Sequence, residues 1–321
     1  MTPCTQPRKI LGVTGTACMA TILLMLLFNS PASAQQPPIT DIAFAPDGNS
    51  IVCCSQSGLQ ALKWPELTSM KEVEVSFDNL HCVKFSPDGK TLAVGGGYPS
   101  EEGLVQLFTW PECKLESRFS AHDDSVVSVT WQGNEHLTTA SLDRLVKRWD
   151  LRTKTAILTY QGHSRGVRSA RTLSTGQLVT VGNDHSVRVW NVETGSLIRT
   201  LNQHSKAIFC ISVCPTSASR PLIATAAEDR TIRFWQPTIG RMMRYIRLAA
   251  APLETCWLND TDLAASCVDG QVRVIDSQTV KVLQTIPALN GWAYALAAHP
   301  KDGTIAVAGS NGQIRRVQIK Q

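Results

Sequence analysis

The chain predicts an all-β fold of seven units, each of four antiparallel strands, and three observations carry that reading. A segment with Asp at its third place and Trp six residues later recurs at 141–149, 182–190 and 227–235. Asp143, Asp184 and Asp229 are thereby set at steps of 41 and 45 residues. Within each period, short alternating runs rich in Val, Ile, Thr and Leu are broken by turn residues about every 8–12 positions, the pattern of strands. No amphipathic helix of ten or more residues is legible between 35 and 321. A repeat near forty residues means units that bury their faces against one another. Composition sets the outer bounds. With 321 residues, 43% of them hydrophobic, the chain can bury a core without staples. A charged fraction of 18% excludes a solvated disordered chain. A net charge of +5 without clustered Lys and Arg argues against a nucleic-acid-binding surface. Ten cysteines are too dilute for a disulfide scaffold.

Residues 1–34 read as an address and not as part of the fold. Arg8 and Lys9 precede an uncharged run over 10–28, densest at 22–28, and Ala32-Ser33-Ala34 closes the segment. A basic start, an apolar middle and an A-x-A end make a secretory signal peptide cleaved after Ala34. The alternative is an uncleaved membrane anchor over 10–28, since about twenty apolar residues span a bilayer. The weakly apolar stretch with Gly12, Thr14, Gly15 and Thr16 favours cleavage. The mature chain, 35–321, then carries a net charge of +3 and eight cysteines. The expected location is secreted or periplasmic, or membrane-anchored facing outside if the anchor stays. Export permits disulfides. Most of the eight cysteines lie in apolar strand runs and read as core packing. Cys256 and Cys267, on neighbouring strands, are the first pair to consider for a bridge.

The units follow in order. Unit one reads as Ile39–Phe44, a turn at Pro46-Asp47-Gly48, Ser50–Ser55, a turn at Ser57-Gly58, a strand over 59–64 and a return run over 70–75. Pro-Asp-Gly returns at 87–89 in unit two, and 300–303 is a one-residue variant in unit seven. Pro fixes φ and Gly supplies positive φ, so these turns have a mechanism. Unit two adds an insertion over 95–103. Units three to five carry the Asp-to-Trp segment, and Asp269 and Asn311 continue the series in units six and seven. Unit starts near 37, 77, 120, 161, 202, 248 and 288 divide the mature chain into seven units of 41 residues.

At this point the chain resembles the WD-repeat β-propeller family over its whole mature length, most strongly in repeats three to five. The resemblance implies a seven-bladed β-propeller of four-stranded antiparallel blades. It also implies a hydrogen-bonded tetrad in each well-formed blade: His122, Thr139, Asp143 and Trp149; His163, Thr180, Asp184 and Trp190; His204, Thr225, Asp229 and Trp235. A buried Asp needs such partners. The competing reading of these His, Asp and Thr residues is a hydrolase triad or a metal site. Spacing at the repeat period sets them in successive blades, where they do not converge. Leu62, Phe108, Ile275 and Val317 stand in the Trp place of the other four blades, and Ala265 replaces Thr in blade six. The family closes its ring with a strand from the far terminus. Here the chain ends on what reads as the third strand of blade seven, so that blade should have a short or missing outer strand. Its edge could then accept a partner's strand.

Family propellers bind partners on the face carrying the loops into the first strand and between the second and third. The resemblance places there Arg144, His185 and Arg230 after the turn Asp residues, Arg165, Arg168, Lys206 and Trp292 near first strands, and Tyr98 in the insertion. Arg, Trp and Tyr are the types most frequent at binding hot spots. The expectation is an exported, monomeric, non-catalytic scaffold for another protein or an acidic peptide, without cofactor, nucleic acid or metal. Membrane contact is expected only through an uncleaved 10–28. No P-loop, GxSxG, HExxH or Rossmann fingerprint is present. The alternative is a propeller enzyme, a hydrolase or lyase, acting in the central channel.

Overall fold

A computed structural model describes residues 36–77, 79–215 and 220–319. The signal-peptide reading of 1–34 lies outside the described residues. The strands assemble into seven antiparallel sheets in a ring, spanning 39–73, 80–122, 126–161, 167–201, 208–247, 252–287 and 295–318. Six blades have four strands in simple sequence order. The seventh has three, Ala295–Ala298, Thr304–Ala308 and Ile314–Gln318, so its fourth strand is absent among the described residues. This agrees with the short or missing outer strand expected of that blade. Helix among the described residues is limited to a 3-10 turn at Ser310–Gly312.

Burial follows the blade plan. Second strands such as Ser50–Ser55 are buried at every position, while outer strands such as Ser69–Val73 expose four of five. A second strand has a blade on each face and an inner and third strand at its sides, so no position is left for water. Seven apolar clusters lie between successive blades. Val52, Leu59 and Val73 of blade one, for example, pack on Leu80, Val83 and Phe108 of blade two. Ring closure uses the same chemistry. Ile39, Ile51 and Leu62 meet Ala295, Ala306 and Ala308, and the Ile39 amide donates to Gly309 O at 3.0 Å. The Leu, Phe, Ile and Val residues in the Trp place thus sit in these apolar layers.

The insertion of blade two is ordered. Its second and third strands, Thr91–Tyr98 and Glu102–Thr109, extend as one long hairpin. Ser100 at its tip donates its amide to Asp124 Oδ1 of the next blade, 3.0 Å away. The suggested Cys256–Cys267 bridge is corrected. Cys256 pairs across the ladder with Ala264 and Cys267 with Pro252, so the two are three ladder positions apart. Their side chains also leave opposite faces of the sheet: Cys267 joins the layer toward blade five, Cys256 the layer toward blade seven. Both are free thiols, and burial pushes the Cys267 thiol up to about 11.

Candidate functional site at the channel mouth

Three buried tetrads anchor the hairpin turns of one face. His122 Nδ1 lies 2.7 Å from Asp143 Oδ2, and its Nε2 lies 2.7 Å from Thr139 Oγ1, which accepts from Trp149 Nε1 at 2.9 Å. Blade four repeats this with His163, Asp184, Thr180 and Trp190 at 2.8–3.0 Å. Blade five does so with His204, Asp229, Thr225 and Trp235 at 2.8–2.9 Å. Trp can only donate and carboxylate can only accept, which orients the chain of bonds: each imidazole gives its Nδ1–H to Asp. Backbone amides add to the carboxylates, Leu145 to Asp143, Ser164 to Asp184 and Thr231 to Asp229. Burial alone would raise Asp143, Asp184 and Asp229, but hydrogen bonds from His and backbone overcome it and hold all three below the ordinary carboxylate range. Burial lowers His204 below its ordinary value, which keeps that ring neutral. Thr139, Thr180 and Thr225 have no exposed surface, so no substrate reaches these hydroxyls. Blade six substitutes a different device that the sequence reading missed. There Arg273 grips Asp269 at 2.6 and 3.1 Å in place of the imidazole.

The turns so anchored present basic residues. Arg144, His185 and Arg230 each follow a tetrad Asp with φ of 77°, 66° and 65°; Gly270 takes the same place in blade six. Arg144, Arg165, Arg230 and Lys206 are exposed and His185 is half-buried. Lys206 is paired with Glu228 at 3.2 Å, and both line a cleft with Arg230 between blades five and six. Tyr98 is 37% exposed on the long hairpin. These residues ring the face and do not converge on one point.

Arg168 and Trp292 do come together. Each inner strand from blade one to blade six skips one residue in its ladder, namely Thr40, His81, Val127, Arg168, Phe209 and Leu253. A skipped residue kinks the strand and re-aims its side chain. These six line a channel-mouth cavity of about 410 Å³, with Trp292 and Tyr294 supplied by blade seven. Deeper in the same cavity, Asp41 accepts from Lys84 Nζ at 2.9 and 3.1 Å and from the Val83 amide at 3.0 Å. Arg171 donates to Ala170 O at 2.8 Å. Burial pushes the Glu254 carboxyl up to about 7, against the pull of Arg171. The sequence reading named Arg168 and Trp292 but missed Asp41, His81, Lys84, Phe209 and Tyr294. Aligning the inner strands on Arg168 would have found Phe209, 41 positions later, and His81, two repeats earlier. Among the described residues no group of three His, Cys, Asp or Glu side chains is placed to hold a metal ion.

A family model described as "WD domain, G-beta repeat" matches residues 29–59, 71–108, 113–150, 154–191 and 195–236, more than half of the chain. The later matches run from the outer strand of one blade through the third strand of the next, and they stop before blades six and seven. Similar curated proteins include UBP9-binding protein bun62 of Schizosaccharomyces pombe, 29% identical over 41% of this chain and 26% of that protein. Cell division cycle 20.1, cofactor of APC complex, of Arabidopsis thaliana is 29% identical over 57% of this chain and 41% of its own. Human pre-mRNA-processing factor 17 is 36% identical over 21% and 11%. The chain thus spans less than half the length of each of these relatives.

Proposed function

Because this chain belongs to the WD-repeat family, we propose that it is a protein-interaction scaffold whose working face is the one ringed by the tetrad-anchored turns. The backbone of those turns carries the reading. Arg144 and Arg230 occupy left-handed positions that cost a non-glycine residue about 1–2 kcal/mol. Gly270 shows that glycine fits the same turn. A basic side chain held there at a cost to stability serves the surface and not the fold. The names of two relatives, a binding protein and a cofactor of a complex, describe roles of the same kind. The partner face is basic, so an acidic protein or peptide segment suits it. Affinity capture from extracts of the source organism tests the face. An Arg144→Glu, Arg230→Glu chain should keep its melting temperature within a few degrees and lose the captured partner; unchanged capture contradicts the choice of face.

Export is part of the same proposal and rests on residues 8–34, with their basic start, apolar middle and Ala32-Ser33-Ala34. N-terminal sequencing of the protein from its host should begin at Gln35. A start at Met1 in the membrane fraction would support the tethered scaffold instead.

A further inference from the structure

We propose that the channel mouth is a pocket for a single carboxylate joined to an apolar body, the carboxylate on Arg168 and the body between Phe209, Trp292 and Tyr294. This deepens the scaffold reading and rests on its choice of face. Arg168 is the one permanent charge among the six skipped residues that ring the mouth. Its guanidinium lies over the Phe209 ring at 5.8 Å, and no hydrogen bond or ion pair reaches it among the described residues. An enclosed guanidinium has five N–H donors to satisfy and prefers a planar carboxylate, which it binds in a fork. The other cations of the channel are already engaged: Lys84 by Asp41, and Arg171 by Ala170 O. Fixed charge in the cavity is three cations, Lys84, Arg168 and Arg171, against the carboxyls of Asp41 and Glu254. His81 beside Arg168 is held toward its neutral form by burial and by that guanidinium. The pocket therefore keeps an excess of positive charge with one unused donor set.

The apolar side of the ligand follows from the walls. Trp292 is 50% exposed, and its ring lies 5.7 Å from that of Tyr294. Leu142 and Leu253 add apolar surface to the lining of the same cavity. A cavity of about 410 Å³ accepts one side chain or a small acid, within the usual range for ligand pockets. A free aromatic acid and the C-terminal residue of a polypeptide share this chemistry.

Calorimetric titration of the purified chain tests it with N-acetyl-phenylalanine, its amide, and a tripeptide ending in phenylalanine with a free or an amidated C-terminus. The free acids should bind at least about tenfold tighter than the amides, the scale of one charge-assisted hydrogen bond. Arg168→Gln should abolish that difference at unchanged melting temperature. Equal binding of both acids supports a small-acid pocket, and a much tighter tripeptide supports a chain terminus. Amides that bind as well as acids, or an Arg168→Gln chain that still discriminates, overturn the proposal. Capture that survives such a result, yet is lost in the Arg144→Glu, Arg230→Glu chain, leaves the scaffold reading standing.

Discussion

At the residue scale, Thr180 does two things with one oxygen. It accepts from Trp190 Nε1 and meets His163 Nε2, each at 2.8 Å, with no surface exposed. Thr180→Val keeps the shape and strands the indole N–H, so it should cost about 1–3 kcal/mol in urea unfolding. The sign of the acid response follows from the aspartates. Asp143, Asp184 and Asp229 titrate lower in the fold than in the unfolded chain. Their contribution is complete above about pH 4 and is lost as pH falls through the folded values. His204, lowered by burial, adds a gentler loss that begins below about pH 6.5, where the unfolded ring takes its proton first. The urea midpoint should therefore decline from pH 6.5 and drop steeply below pH 4; a midpoint constant from pH 6 to pH 3 contradicts this. The tetrads were legible because Asp and Trp keep their spacing through hairpins of fixed length. The Asp269–Arg273 pair was not, since a charge pair between a turn and the strand that follows it resembles an ordinary solvated face.

At the element scale, alternation and turn chemistry marked strands such as Ile39–Phe44 and Ser50–Ser55 at their observed ends. The first outer strand runs Ser69–Val73 and not 70–75, because a strand exposed on most positions has no apolar alternation to mark its ends. The skipped residues of the inner strands were equally hidden. A bulge breaks the period of two at the point where Arg168 or Phe209 turns into the channel. The left-handed turns give a prediction that separates stability from function. Arg144→Gly and Arg230→Gly relieve backbone strain and should each raise stability by up to about 1 kcal/mol while weakening partner capture. Loss of stability in both variants would show that the arginines serve the fold.

At the scale of the whole molecule, the ring is closed by apolar packing between first and last blades and by polar stitches at one end of that seam. His299 Nε2 lies 2.9 Å from Gly48 O, Lys301 Nζ donates to Asp47 O at 2.8 Å, and Trp64 Nε1 reaches Asp302 at 3.4 Å. The seven-fold plan was readable from the period alone. Blade seven has three strands among the described residues, in line with the short or missing outer strand expected of it. What binds the ring is not written in the period, because a repeat encodes the contacts between blades and leaves loop tips free to vary. A scaffold of this kind works through one face of the ring. Amide hydrogen exchange of the captured complex against the chain alone tests that directly. Protection should concentrate at 142–146, 183–187 and 228–232, the turns that carry Arg144, His185 and Arg230. Protection confined to the opposite end, at 133–135, 151–154 and 174–176, would contradict it.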